Sequence, residues 1–295
     1  PNLQEIIKES KVDFNIQTIK WGDDGSEKQS SSVVASITGV IFTMLIYMFI
    51  LIYGGMVMQG VMEEKTNRII EIMISSVKPF DLMMGKIIGI GFVGLTQVFL
   101  WVVMTFILIT GGTFFLGGGM ESEILQSSMA LNTTPNMTAI AAQQHGNEWI
   151  EMLHMINFTE IGILFIAYFI GGYLLYSSLF AAIGSAVDGQ EDTQQFMLPV
   201  TLLLVFALYA GIYSMENPDG PLAFWCSMIP FTSPIVMMVR VPFEVPLWEI
   251  LLSIGFLYIS SIGFTWFSAK IYRVGILMYG KKPSIKEMSK WLRYK

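Results

Sequence analysis

Two stretches without a single charged residue, 29–62 and 87–120, each 34 residues long, limit what this chain can fold into. A helix needs roughly 20 apolar residues to cross about 30 Å of hydrocarbon, and at about 1.5 Å per residue either stretch reaches about 50 Å. Each therefore spans a bilayer and leaves part of its length protruding. Across the chain 53% of residues are hydrophobic and 14% charged, against about 25% charged in a soluble domain. A β-barrel needs alternating segments of about 10 residues, and none is present. The fold class is an all-α polytopic membrane protein with five spans, at about 34–59, 87–110, 161–186, 196–213 and 247–271.

A polar stretch, 62–78, separates the two uncharged ones. On a helix at about 100° per residue, Glu64, Asn67, Arg68, Glu71 and Ser75 share one arc, with Met62, Ile69, Ile70, Ile72, Met73 and Val77 opposite. Glu64 and Arg68 have the i,i+4 spacing of a helical ion pair, and Pro79 is expected to end the helix. The residues alone leave two readings: an interfacial helix lying among the headgroups, or a docking element on which a soluble partner pushes.

Residues 1–32 are polar and mixed in charge, with alternation over 12–21 that reads as a strand and a turn at Gly22-Asp23-Asp24-Gly25. The start, Pro1-Asn2-Leu3-Gln4, reads as the middle of a longer protein, and no signal peptide is present. Residues 111–157 form a loop without Lys or Arg, and Asp188-Gly189-Gln190-Glu191-Asp192 is a short acidic turn. The fourth span is expected to open at Phe196, with Pro199 in its first turn. Residues 220–243 carry Pro221, Pro230 and Pro234 and read as a broken, re-entrant pair of short helices. Basic residues then set the orientation. The loop of the polar stretch has four (Lys65, Arg68, Lys78, Lys86) and the tail from Lys270 has eight, making twelve on one side, against Arg240 alone on the other. The polar stretch and the C-terminus are therefore expected in the cytoplasm and the N-terminus of this chain outside.

The chemistry expected of an enzyme is missing. One cysteine, Cys226, excludes an intrachain disulfide, and two histidines, His145 and His154, fall in one loop. No phosphate-cradling glycine motif is present. Intramembrane ionisable residues, the default functional candidates in a bilayer, are limited to Glu160, Lys86 and Lys270 at span ends. Midplane carboxylates and inverted repeats, the marks of an ion-coupled secondary transporter, are absent. Trp101, Tyr168, Tyr173, Tyr176, Trp225 and Trp266 read as interface belt or bundle packing, and 21 methionines give a pliable apolar surface.

The order of parts has a likeness. Glu63-Glu64-Lys65-Thr66-Asn67-Arg68-Ile69-Ile70-Glu71-Ile72-Met73, followed by Ser75-Ser76-Val77-Lys78-Pro79 and Gly85-Lys86, resembles the signature of type-2 ATP-binding-cassette (ABC) permeases. The nearest branch is that of sodium-extruding, multidrug-exporter-like permeases. In that family E-E-K-x-x-R leads a hydrophobic E-[IVL]-[ILM] group, small residues, a proline and G-K. The acidic turn, Ile229-Pro230-Phe231-Thr232-Ser233-Pro234 and the basic C-terminus extend the likeness over nearly the whole chain. The resemblance implies a type-2 ABC exporter transmembrane domain over 33–272, with the five spans standing as family spans two to six. Residues 1–32 are then the end of an extracytoplasmic domain and linker, and 273–295 a cytoplasmic tail. It also implies that 62–78 is a coupling helix. Glu63, Glu64, Lys65, Arg68 and Glu71 are expected to face a cytosolic ATPase, with Ile69, Ile72 and Met73 holding the helix to the bundle. ATP and Mg are bound by that partner and no cofactor by this chain. Two permeases, alike or different, pair in a bacterial cytoplasmic membrane, with no nucleic acid involved. A permease-like scaffold that passes ATPase motion to an envelope machine remains the alternative, and an ion-coupled transporter a further one.

Overall fold

The computed structural model describes residues 19–21, 27–29, 32–74, 76–112, 157–187 and 189–278. A short antiparallel strand pair comes first, β1 (Ile19–Trp21) with β2 (Glu27–Gln29), with Ile19 opposite Gln29 and Trp21 opposite Glu27. Among the described residues eight helices follow: α1 (Ser32–Thr66), α2 (Ile69–Ile74), α3 (Pro79–Gly112), α4 (Phe158–Ala186), α5 (Gln190–Glu216), α6 (Pro221–Met228), α7 (Ser233–Arg240) and α8 (Leu247–Gly275). A 3-10 turn, Val241–Phe243, joins the last two. Five of them, α1, α3, α4, α5 and α8, are long and apolar enough to cross a membrane. Most of the expected loop 111–157, residues 1–18 of the N-terminal segment and the tail beyond 278 lie outside the described residues.

Three helix ends differ from the sequence expectation. Pro79 does not stop a helix but opens α3 as its first residue. A first-turn N–H has no intrahelical acceptor, so a proline there loses nothing. α5 starts at Gln190 rather than Phe196, which puts Glu191 and Asp192 in its first turn, where the positive end of the helix dipole favours acids. Pro199 is consequently interior to α5 rather than in its opening turn. α4 starts at Phe158, capped by Asn157, whose side chain accepts from the Glu160 amide at 3.4 Å while its Nδ2 donates to Glu160 Oε2 at 3.3 Å. That reciprocal pattern satisfies two polar groups at once.

The most buried span, α4, lies between α1 and α8. Its tyrosines reach neighbouring backbone: Tyr173 donates to Ile87 O at 2.7 Å, Tyr176 to Phe231 O at 2.6 Å and Tyr168 to Ile250 O at 3.3 Å. These rings are bundle packing, not an interface belt. The second half of α3 is largely exposed, and an apolar groove of about 410 Å³ between it and α1 is lined by Met44, Met48 and Trp101.

The proline-rich segment breaks into α6 and α7, and all eight residues of α7 are buried. Glycines on two spans admit it closely: a Cβ on Gly39 of α1 would come within 2.8 Å of Val239 O, and one on Gly172 of α4 within 2.9 Å of Pro234. Carbonyls in and beside the break receive side-chain donors. Thr43 serves Ile235 O at 3.0 Å, Thr232 serves Cys226 O at 2.5 Å and Ser253 serves Ser227 O at 2.6 Å. With no water in hydrocarbon, such pairing is what allows irregular backbone at membrane depth.

The pair Gly85 and Gly89, whose spacing permits a close helix contact, meets nothing within 4 Å, whereas Gly184 of α4 sits where a Cβ would be 2.5 Å from Met58 O. Backbone cannot yield as a flexible side chain does, so Gly184→Ala is expected to cost about 1–3 kcal/mol. Gly85→Ala, in open space on an exposed helix face, should be neutral or stabilising by up to about 1 kcal/mol. Melting temperatures of the two purified variants in detergent test this; equal behaviour would contradict the packing of α1 on α4.

Candidate partner-docking site

The polar stretch is not one helix. α1 continues through Glu63, Glu64 and Lys65 to Thr66, with Asn67 N–H donating to Glu63 O at 2.9 Å. Arg68 then adopts a left-handed φ of 54°, and its N–H turns back to Lys65 O at 3.0 Å. A left-handed residue closing a helix is usually glycine, so a non-glycine here stores strain of about 1–2 kcal/mol. α2 restarts at Ile69, one and a half turns long, and a turn closed by Ser76 and Val77 amides on Met73 O leads to Pro79.

This break resets the helical phase, and the apolar positions change sides. Ile70 is completely buried, while Ile69 is 45% and Ile72 75% exposed. Ile69 and Ile72 therefore do not hold the element to the bundle, as the continuous-helix projection expected; Ile70 does, with Met73 half-buried. Glu63, Arg68 and Glu71 are exposed. Val77 and Phe80 are exposed as well, so this stretch presents apolar side chains and both signs of charge, a mix common at interaction surfaces.

Two of the expected partner-facing residues are turned to the bundle. Glu64 Oε2 lies 2.6 Å from Lys86 Nζ on α3, a contact 22 positions away that the i,i+4 pattern did not disclose. Lys65, expected on the docking face, is 1% exposed, and its ammonium donates to Ser185 O of α4 at 2.8 Å. The reason is geometric: α1 runs past the expected end of its span, so Lys65 still faces its bundle neighbours.

At the opposite ends of the spans lies a charged cluster that the sequence reading missed. Arg240, 1% exposed, donates from Nε to Pro218 O at 2.7 Å and from a terminal nitrogen to Ser227 Oγ at 2.7 Å. Its other terminal nitrogen stands 2.9 Å from Glu249 Oε2 in the first turn of α8. Arg240 had counted only as a loop charge; the neighbouring prolines were the available signal that its segment folds inward. Lys270, by contrast, lies over the exposed Trp266 ring at 3.8 Å, and Glu160, in the first turn of α4, accepts from the capping Asn157 side chain. Among the described residues, no group of three or more His, Cys, Asp and Glu is placed to hold a metal ion.

Five apolar spans, a buried broken segment and a polar element between the first two spans define a multi-pass membrane domain. The family model of the ABC-2 family transporter proteins matches residues 2–270, and the chain belongs to that family, as a membrane permease component. It is similar to the uncharacterized protein YhaP of Bacillus subtilis, 31% identical over 295 residues, which cover 98% of this chain and 63% of YhaP. It is also similar to the uncharacterized protein MJ1024 of Methanocaldococcus jannaschii, 26% identical over 278 residues, 94% of this chain and 58% of that protein. The chain thus spans less than two thirds of the curated relatives it matches. No solved structure matches it significantly.

The strained turn makes a measurable claim. Asparagine tolerates the left-handed region, so Arg68→Asn should leave the melting temperature nearly unchanged. Arg68→Val, β-branched, should lower stability by about 1–2 kcal/mol. A valine variant as stable as the parent would mean that the chain does not turn there.

Proposed function

We propose that this chain is the permease part of an ATP-driven ABC exporter, in the sodium-extruding, multidrug-exporter-like branch. Residues 63–80 dock into a cleft of a separate cytosolic ATPase subunit. The observation that carries this reading is the exposed apolar surface of Ile69, Ile72, Val77 and Phe80 beside Glu63, Arg68 and Glu71. A short element joining two spans has no internal reason to leave Ile72 three-quarters exposed. A hydrophobic socket with a charged rim accounts for both parts of the surface. Glu64 and Lys65 tie this element to α3 and α4, so a push on α2 is passed to the spans instead of bending a loop. The chemistry of ATP and its Mg ion belongs to the partner; nothing in this chain's motifs cradles phosphate.

A second permease copy or a related subunit completes the transporter in this proposal, in a bacterial cytoplasmic membrane. Twelve basic residues on the side of the polar stretch against one opposite support an orientation with α2 in the cytoplasm.

Docking is tested on the exposed residue and not on the buried ones. Ile72→Asp should reduce co-purification of the ATPase by at least about tenfold, as loss of an interface anchor worth 1–2 kcal/mol or more does, while the melting temperature stays within about 1 °C of the parent, as for other surface substitutions. Retention of the ATPase by this variant would refute the docking surface. Orientation is tested separately in a Cys226→Ser background. A cysteine at Asn217, between α5 and α6, should react with an impermeant maleimide in intact cells, and one at Glu63 only after permeabilisation. The reverse pattern would invert the assignment.

A further inference from the structure

Two consecutive residues at the end of α1 grip different helices. Glu64 meets Lys86 of α3. Lys65, about 100° further round the helix, is buried, and its Nζ donates to Ser185 O. Ser185 is the penultimate residue of α4, so its carbonyl is among the last four that have no donor within their own helix. A cation there also meets the negative end of the helix dipole. Two further contacts converge on the same place. Gly184 lets Met58 O of α1 lie where a side chain would otherwise sit, and a Cβ on Gly275, the last residue of α8, would be 3.0 Å from Ser185 O. The ends of α1, α4 and α8 therefore meet around the last turn of α4, and the ammonium that donates to Ser185 O comes from the polar motif itself.

A methionine would fill the same space without burying a charge, and burying an ammonium is costly unless it is held by fixed acceptors. Packing alone therefore does not account for a lysine at this position. We propose that Lys65 is a positioning residue: a strut that fixes the docking element on the inner end of α4, so that force applied to α2 is delivered into α4 and α8. The proposal rests on the docking reading for its purpose, but the strut itself is testable without the partner.

The test uses the full chain in nanodiscs, in a Cys226→Ser background, with nitroxide labels on two exposed positions, Ile72→Cys on α2 and Ile166→Cys on α4. With Lys65 in place, electron–electron double resonance should give one narrow distance peak. Lys65→Met should lose that narrow peak, and Lys65→Arg, which keeps a cationic donor, should restore it. A second label pair, Ile166→Cys with Trp266→Cys on α8, reports whether the bundle remains folded; where Lys65→Met fails that check, Lys65→Leu, which also lacks a donor, is read in its place. An unchanged Ile72–Ile166 peak in a folded Met or Leu variant overturns the strut. Failure of arginine to restore the peak overturns the cationic bond as its cause. With the ATPase present, Lys65→Met should still co-purify the partner but lose the permease-dependent change in ATPase activity; retained coupling also overturns the proposal. Loss of docking is read independently by Ile72→Asp, so either reading can fail without the other.

Discussion

A peptide group at membrane depth has no water to bond, and this requirement governs where the chain can be irregular. Regular helices satisfy it internally. The segment between α5 and α8 does not, because Pro221, Pro230 and Pro234 remove donors and break the helix. Its exposed carbonyls are met one at a time from four different elements. Thr43 comes from α1, Tyr176 from α4, Ser253 from α8 and Arg240 from α7 itself, reaching back to Pro218 O. These donors can reach only if the segment is drawn into the bundle, and Gly39 and Gly172 provide the room. The burial of α7 is thus a consequence of its prolines.

Charge is handled differently at the two ends of the spans. At the α7 end, Arg240 and Glu249 are both buried and form an ion pair, with Ser227 Oγ and Pro218 O each accepting a further guanidinium N–H. Breaking such a pair from one side leaves an uncompensated charge in low dielectric, so this end is locked. At the α2 end, Glu63, Arg68 and Glu71 are exposed, while Glu64 pairs with Lys86 and Lys65 donates to Ser185 O. One end buries its charges and the other presents several at the surface. That asymmetry is the physical core of the docking proposal.

The spans were legible because charge-free length is a strong signal: no soluble fold tolerates 34 uncharged residues twice around a polar stretch. The break of 220–243 was legible for the same kind of reason, since proline acts on the backbone whatever surrounds it. The faces of the docking element were not. Projecting Ile69, Ile70 and Ile72 on a helical wheel presumes that one helix continues, and a left-handed arginine at 68 cancels that presumption. Glycine or asparagine would have warned of the turn; Asn67 stands one residue too early. Lys65 was misplaced for a related reason. Its motif marks the polar element between α1 and α3, but only the run of α1 to Thr66 determines which way each motif residue points. Arg240 and Glu249 became partners through tertiary folding, at a separation that no local pattern encodes.

The length of α1 connects these observations. It carries no proline over its 35 residues and reaches about 50 Å, more than the hydrocarbon requires. Near its first turns Gly39 and Thr43 hold α7; in its last turn Glu64 and Lys65 hold α3 and α4. The docking element and the buried broken segment are therefore attached to opposite ends of one rod, even though their residues lie far apart in the chain. Gly39 against Val239 and Lys65 against Ser185 are therefore contacts made by one continuous helix, at its two ends.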